Sequence, residues 1–188
     1  MPDIQQHARI IKGRAVVADD WSVLRLAEGE TPETVEVPAG KVIVPLKVWQ
    51  ARRETLLART GQLGLWFASD ELAQSVRDDL DRFAVIAVDF PKFTDGRGYS
   101  IAYNLRKRFG YKGELRAIGD VLRDQLFQMA RCGFDAYATR QDRSIDDALK
   151  GLTVFSETYQ AAVDEPLPLF RRHQRDVPLE HSDIGAGI

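Results

Sequence analysis

Short apolar runs alternate with helical patterns along most of this chain. Between Val42 and Tyr159, five such runs are each followed by apolar residues at helical spacing. The runs are residues 42–46, 63–68, 83–90, 115–118 and 134–139. Continuous apolar strands that alternate with amphipathic helices are typical of a parallel sheet covered by helices. The pattern therefore predicts an α/β fold of about five βα units.

Two arrangements of these units fit the sequence: an open flavodoxin-like or Rossmann-like sheet, and a partial TIM-type barrel. A complete eight-fold barrel typically needs about 250 residues, more than the 188 present. We expect the α/β domain to span residues 41–162. It is preceded by a small β-rich N-terminal segment, residues 1–40, with strands at 10–17 and 23–26. Residues 163–188 are expected to form a flexible or surface-running tail.

Charge and residue usage exclude several classes of protein. The 26 Lys and Arg balance 28 Asp and Glu, unlike the broadly basic surface of a nucleic-acid-binding protein. One cysteine, Cys132, cannot build a disulfide framework, a four-cysteine zinc site or an iron–sulfur cluster, and no metal is expected. No apolar run approaches the roughly 20 residues that a membrane span needs. We expect a cytoplasmic protein that binds neither nucleic acid nor membrane.

The longest polar loop follows the third strand and precedes a helix. In parallel α/β folds, ligands bind beyond the carboxyl ends of the strands. Candidate binding residues in this loop are Lys92, Gly96, Arg97, Gly98 and Ser100. The two glycines would allow the backbone to approach a ligand closely.

Two further loops are expected at the same sheet edge. Arg123 and Gln125 follow the fourth strand, and Arg140 follows the fifth. The guanidinium fork suits planar and tetrahedral oxyanions. These residues predict a site for a small oxyanion such as sulfite, sulfate or phosphate. The alternative is that the arginines pair with neighbouring aspartates and hold the loops in place.

The same loops contain the groups available for acid–base chemistry. They are Lys92, Asp95, Tyr99, Asp120 and Asp124, and they would serve a small lyase or isomerase acting on an anionic substrate. No dinucleotide fingerprint or Walker-type loop is present, and no cofactor is evident. One alternative stays open, a flavin-dependent oxidoreductase. In such an enzyme, the flavin would bind through its phosphate to a flavodoxin-like sheet.

The central segment resembles a bacterial protein family. The resemblance is carried by Phe90–Ser100 (FPKFTDGRGYS), Gly113–Ala117 (GELRA), Gly119–Leu126 (GDVLRDQL) and Arg131–Asp135 (RCGFD). These motifs are similar to the domain-of-unknown-function family 934, whose label is an oxidoreductase involved in sulfite reduction. The resemblance covers roughly Val42 to Tyr159.

The resemblance implies a cytoplasmic bacterial protein encoded beside assimilatory sulfite reductase and related sulfate-assimilation enzymes. It implies a pathway and supplies no catalytic residues. Electron transfer to sulfite needs a redox cofactor, and this chain has no motif for one, so its status as an enzyme is open. We expect an accessory protein of sulfate assimilation that binds a small oxyanion or the sulfite reductase itself.

A third alternative is a structural interaction module without a ligand. It would use the β-rich N-terminal segment and the basic run at residues 171–175 to hold partner subunits. A partial barrel or an exposed edge strand would favour a homodimer.

Overall fold

The computed structural model describes residues 2–172 of the chain. Met1 and residues 173–188 lie outside the described residues, and so does the part of the predicted basic run that follows Arg172. Residues 163–172 of the predicted tail are described and end in a short helix.

The described residues form nine strands and five α-helices. The strands are β1 Asp3–Gln6, β2 Arg9–Lys12, β3 Ala15–Ala18, β4 Ser22–Arg25, β5 Val42–Pro45, β6 Leu63–Phe67, β7 Val85–Phe90, β8 Glu114–Gly119 and β9 Ala136–Tyr137. The α-helices are α1 Leu46–Leu57, α2 Arg97–Tyr103, α3 Arg123–Cys132, α4 Ile145–Leu149 and α5 Leu169–Arg172. Two 3₁₀ helices, Ala73–Arg82 and Lys150–Thr153, and a π-helical turn, Asn104–Arg108, complete the set. Among these helices, none has both the length and the apolar character needed to cross a bilayer.

Local sequence signals correctly located the five strands after residue 41. Strands β5 to β9 correspond in order to the five apolar runs, and each is followed by a helix. Ser144 caps the N-terminus of α4, because its hydroxyl accepts a hydrogen bond from the Asp147 amide. Gly133 ends α3 in the left-handed region, at φ 107°, where a residue without a side chain is favoured.

The sheet built from these strands differs from the predicted one. Its order is β1-β4-β5-β6-β7-β8-β9-β2-β3. Within residues 2–172, the pairs from β4 through β9 are parallel, whereas β1 with β4, β9 with β2, and β2 with β3 are antiparallel. The predicted fold class, a parallel sheet of five βα units in an open or partial-barrel arrangement, is therefore wrong. The sheet is mixed, and the flavodoxin-like strand order on which the flavin alternative depended is not found among the described strands.

The N-terminal segment is the source of the error. Its four strands are not a separate addition but form both edges of the one sheet. The predicted strand at 10–17 is a hairpin, β2 and β3, turned at Gly13 and Arg14 with Gly13 at φ 59°. A parallel pairing needs a crossover of about a dozen residues or more, so a two-residue link such as this one gives an antiparallel pair.

The sheet must curl, because a short link joins strands near its opposite edges. β3 is the last strand and β4 the second in the order, yet only residues 19–21 lie between them. In a flat sheet, spacings of about 4.8 Å would separate these strands by roughly 34 Å. Four residue steps reach only about 14 Å. The two edges therefore come round towards each other.

Curling produces a helix-covered face and an inner face. The larger core lies on the helix-covered face, where strand residues such as Leu65, Ile86 and Leu115 pack with residues of α1 to α4. The inner face is filled by strand and link residues: Ile10, Trp21, Val23, Ile43, Val85, Ala87, Ile118, Ala136 and Ala138. This cluster joins β2 to β4 although six positions in the sheet order separate them.

Candidate functional site

The loop after β7 is held by Arg97, the central residue of the predicted anion site. Arg97 Nε lies 3.0 Å from Asp95 Oδ1, and its Nη2 lies 2.7 Å from Asp95 Oδ2. The same Nη2 donates to Ser69 Oγ at 2.8 Å, and Ser69 donates to Asp95 at 2.7 Å. Hydrogen bonds from Arg97 and then Ser69 hold the pKa of Asp95 well below its ordinary value. Arg97 thus ties the loop after β6 to the loop after β7.

The predicted glycines of this loop serve different purposes. Gly98 is buried in the first turn of α2, and a Cβ atom there would lie 2.8 Å from the Phe90 ring and 3.0 Å from Val88. Its missing side chain allows α2 to pack closely on β7. Gly96 has no atom within 3.9 Å of a Cβ position, and the nearest belongs to Tyr99.

The loops after β7, β8 and β9 are joined through Asp120. Its Oδ2 accepts from the Phe93 amide at 2.8 Å, and its Oδ1 accepts from Arg140 Nη1 at 3.1 Å. Gln125 accepts from the Leu122 amide and donates to the Phe93 carbonyl. Gln125 is buried, so its amide completes the backbone hydrogen bonding of these loops.

The remaining predicted residues are not brought together. Arg123 pairs with Asp147 at 3.1 Å on an exposed surface. Lys92, Ser100 and Asp124 are exposed, and their side chains make no hydrogen bond or ion pair within residues 2–172. Tyr99 packs edge-on against Phe90, with ring centroids 5.4 Å apart, and burial raises the pKa of its hydroxyl.

Cys132 and the carboxylates do not form an evident reactive centre. Burial raises the pKa of the Cys132 thiol, and Gln128 Nε2 lies 3.6 Å from its sulfur. A thiolate is the reactive form, so this environment suits a packed cysteine. Within the part of the chain that the structure describes, no three metal-ligating side chains come together.

The inner face contains a buried ion cluster that the sequence reasoning missed. Arg116 is 1% exposed, and its guanidinium lies 2.8 Å from Asp19 and 2.7 Å from Glu114. Lys12 reaches the second Glu114 oxygen at 2.8 Å. One sequence signal could have predicted this cluster: an arginine, Arg116, lies inside the apolar run 115–118. A charge that is buried in a strand needs a partner of opposite charge.

A second ion pair crosses the inner face at the carboxyl ends of the strands. Arg25 of β4 lies 2.6 Å from Asp89 of β7, and its guanidinium stacks 4.9 Å from the centre of the Trp66 ring. His7, in the link between β1 and β2, is partly buried near the same charges. Burial lowers the pKa of its imidazole, with Arg116 and Arg25 lowering it further and Asp19 opposing them.

A cleft of about 390 Å³ lies beside the end of β9, and we refer to it as the β9 cleft. One wall is the link between β1 and β2, and the other is the loop from β9 to α4. Its lining residues are Gln6, His7, Ala8, Arg9, Thr139, Arg140, Gln141, Arg143, Ser144, Ile145 and Asp146. Gln141 Nε2 donates to the Gln6 carbonyl at 3.3 Å and joins the two walls.

Five large apolar side chains are exposed near the end of the described chain. They are Val154 (57%), Phe155 (61%), Tyr159 (69%), Leu167 (49%) and Phe170 (64%). The Leu169 amide donates to the Tyr159 carbonyl at 3.0 Å and brings the two stretches together. Arg131 of α3 anchors them through Thr158, Asp164 and the Gln160 carbonyl. We refer to these five residues as the C-terminal apolar surface.

Comparison with known protein families identifies the family of this chain. A family model described as a bacterial protein of unknown function (DUF934) matches residues 64–170, more than half of the chain. The chain belongs to the DUF934 family. The comparisons with curated proteins and with solved structures gave no significant match. The family predicted from the sequence motifs is confirmed, whereas its sulfite-reduction label stays a prediction.

The sites of this DUF934 protein differ in how far the family match covers them. It covers β6 to the start of α5 and includes every predicted anion-binding residue and the C-terminal apolar surface. The β9 cleft combines both parts, because Arg140 and Arg143 lie within the match whereas His7 and Arg9 precede it.

Proposed function

We propose that this DUF934 protein is an accessory protein of assimilatory sulfite reduction that works by binding another protein. The partner is sulfite reductase or a related sulfate-assimilation enzyme. The pathway is suggested by the family label and by the gene neighbourhood that the sequence resemblance implies. The protein-binding role is supported by the C-terminal apolar surface.

The exposure of this surface is the observation that carries the proposal. Five large apolar side chains, each between 49% and 69% exposed, lie within residues 154–170. Monomeric proteins rarely leave large apolar side chains clustered in contact with water, and such clusters mark interaction sites. Charged residues lie in the same part of the chain, among them Glu157 and Glu165, both of which pair with Arg172. Apolar side chains accompanied by polar ones are common in protein interfaces.

Burial of these rings is large enough to drive association. A Phe side chain can bury on the order of 200 Å². Phe155 is 61% exposed and Phe170 is 64% exposed, so each ring has more than about 100 Å² in contact with solvent. At about 25 cal/mol per Å², burial of each ring contributes at most about 3 kcal/mol. Losses of translational and side-chain freedom on binding reduce that value.

The carboxyl-end loops offer less support for a catalytic role. Arg97 and Arg140 are already held by aspartates. Lys92 has no acidic or basic partner among the described residues that could form a proton-transfer pair with it. These contacts favour the alternative in which the arginines hold loops.

The test is a binding measurement with purified holo sulfite reductase from the same bacterium. Surface plasmon resonance would compare the full chain with a Phe155→Ser, Phe170→Ser double variant. Loss of the two rings is expected to weaken binding at least tenfold, since each tenfold is about 1.4 kcal/mol. The matched control is Leu72→Ser, which removes a side chain that is 73% exposed outside this surface.

Two outcomes would contradict the proposal. One is equal binding by the double variant and the control, or no binding to any sulfate-assimilation enzyme. The other is self-association of the full chain in sedimentation experiments that the double variant abolishes, because the occupant of the surface would then be a second copy.

A further inference from the structure

We infer that the β9 cleft is a binding site for a small oxyanion of the sulfite, sulfate or phosphate type. This site differs from the one that the sequence predicts, and it shares only Arg140 with that prediction. It does not depend on protein docking, because its residues are distinct from those of the C-terminal apolar surface.

The first reason is that three arginines meet at the cleft. Arg9, Arg140 and Arg143 line it with one carboxylate, Asp146, and the neighbouring Asp120 and Asp142 pair with Arg140. The two walls are far apart in the sequence. Arg9 begins β2, whereas Arg140 and Arg143 follow β9. The antiparallel pairing of β2 with β9 places them side by side.

The second reason is that two of these arginines are poorly neutralised. Arg140 is held by Asp142 at 2.8 Å and by Asp120 at 3.1 Å. Arg143 has only a distant contact, 3.8 Å, with the Asp142 carboxylate that Arg140 already occupies. The Arg9 side chain makes no hydrogen bond or ion pair with any residue from 2 to 172. Arg140 is therefore fixed in position while Arg9 and Arg143 keep their donors available.

The third reason is the set of neutral donors in the same cleft. Thr139 and Ser144, which both carry hydroxyl groups, are among the residues that line the cleft. Ser144 Oγ accepts from the Asp147 amide, so its own hydrogen remains available to donate. Arginine forks and hydroxyl donors together match an oxyanion, which accepts several hydrogen bonds at once.

The β9 cleft differs from the loop after β7 in how its arginines are paired. Around Arg97, a fixed aspartate occupies the guanidinium fork and stands where a ligand oxyanion would bind. In the β9 cleft, no carboxylate of the described residues occupies the forks of Arg9 and Arg143 at hydrogen-bonding distance. A volume of about 390 Å³ exceeds that of one oxyanion, so the same contacts could serve a free ion or a phosphate on a larger molecule.

The test is isothermal titration calorimetry of the full chain at fixed ionic strength. Sodium sulfite, sodium sulfate, sodium phosphate and adenosine monophosphate are titrated separately, with sodium chloride as the reference salt. At least one oxyanion is expected to bind. Stronger binding of adenosine monophosphate than of inorganic phosphate would assign the remaining volume to a larger ligand, and equal or weaker binding would assign the site to the free ion.

Variants decide whether the bound ion lies in this cleft. Arg9→Ala and Arg143→Ala are each expected to weaken binding about tenfold or more, since charged hydrogen bonds are lost. Arg143→Lys keeps the charge but not the fork and should fall between Arg143→Ala and the unmodified chain. Arg123→Ala and Arg97→Ala, which remove paired arginines outside the cleft, should leave the affinity unchanged. Unchanged circular dichroism and melting temperature would confirm folding of each variant.

Three results would overturn the inference. They are the absence of binding by all four titrants, an affinity unaffected by both cleft variants, and an affinity lost through Arg97→Ala alone. The last result would return the site to the loop after β7. None of these results bears on sulfite reductase binding, which is measured with different variants.

Discussion

Both faces of the sheet are packed, but the residues that cover them differ in type. On the helix-covered face, apolar strand residues meet apolar helix residues. The charged residues that are buried among those described, Asp89 and Arg116, both belong to the inner face. On the inner face, the strands and short links must fill the space themselves. There the apolar residues surround buried charges, with Arg116 held between Asp19 and Glu114.

A sheet face that no helix covers can contain buried charges. Parallel strands are apolar on both sides when helices cover both faces. When only one face is covered, the other can hold charged groups, provided that each finds a partner. Arg116 connects β8 to the link between β3 and β4, so the ion cluster also holds the N-terminal strands against the parallel strands.

The largest expected effect comes from breaking the inner-face ion cluster. Asp19→Ala removes one partner of a guanidinium that is almost wholly buried, leaving Glu114 to hold the charge alone. We expect a loss of about 3 kcal/mol in the free energy of unfolding, measured by urea denaturation. The control is Asp20→Ala, the next residue in the same link, which pairs with Lys41 on the surface and should cost less than about 1 kcal/mol. Equal losses would show that burial does not distinguish the two pairs.

A medium effect is expected on the helix-covered face. Gly98→Ala places a methyl group 2.8 Å from the Phe90 ring and should cost about 1–3 kcal/mol through overpacking. Gly96→Ala provides the control, because it has an ordinary φ of −87° and no atom closer than 3.9 Å to the new methyl group. Thermal denaturation of both variants would measure the difference. A melting temperature lowered as much by Gly96→Ala would refute the packing argument.

The smallest effect is a pH dependence from His7 on the inner face. Because its folded-state pKa lies below 6.5, the unfolded chain binds the proton more readily. The stability that neutral His7 contributes is present above pH 6.5 and is lost as the pH falls through the lower folded-state pKa. Urea denaturation between pH 8 and pH 5 should show this decline, and His7→Asn should reduce it. A decline of the same size in the variant would assign it to other groups.

The sequence predicted the fold unequally along the chain. The runs that became β5 to β9 are long enough, and their helices periodic enough, to be recognised locally. β1 is exposed along its whole length and shows no apolar alternation, so no pattern marked it as a strand. The Gly13-Arg14 turn was present in the sequence, but the apolar residues on both sides of it favoured one strand across residues 10–17.

The sequence predicted where the candidate site residues lie in the fold but not which side chains they contact. Placing Arg97, Asp120 and Arg140 near the carboxyl ends of the strands required only the order of the elements. Whether a guanidinium faces a ligand or an aspartate depends on side-chain distances of about 3 Å, which spacing in the sequence does not encode. Arg9 and Arg143 could not be assigned to one cleft from the sequence, because their shared location depends on the pairing of β2 with β9.

The family and the alternation of strands and helices after residue 41 could be recognised from the amino-acid sequence alone, because both follow from local patterns. The folded structure was needed to find the mixed curled sheet, the inner-face ion cluster and the β9 cleft. Each of these depends on pairing between residues far apart in the chain, and that pairing is set by the short N-terminal links, which bring the two edges of the sheet towards each other.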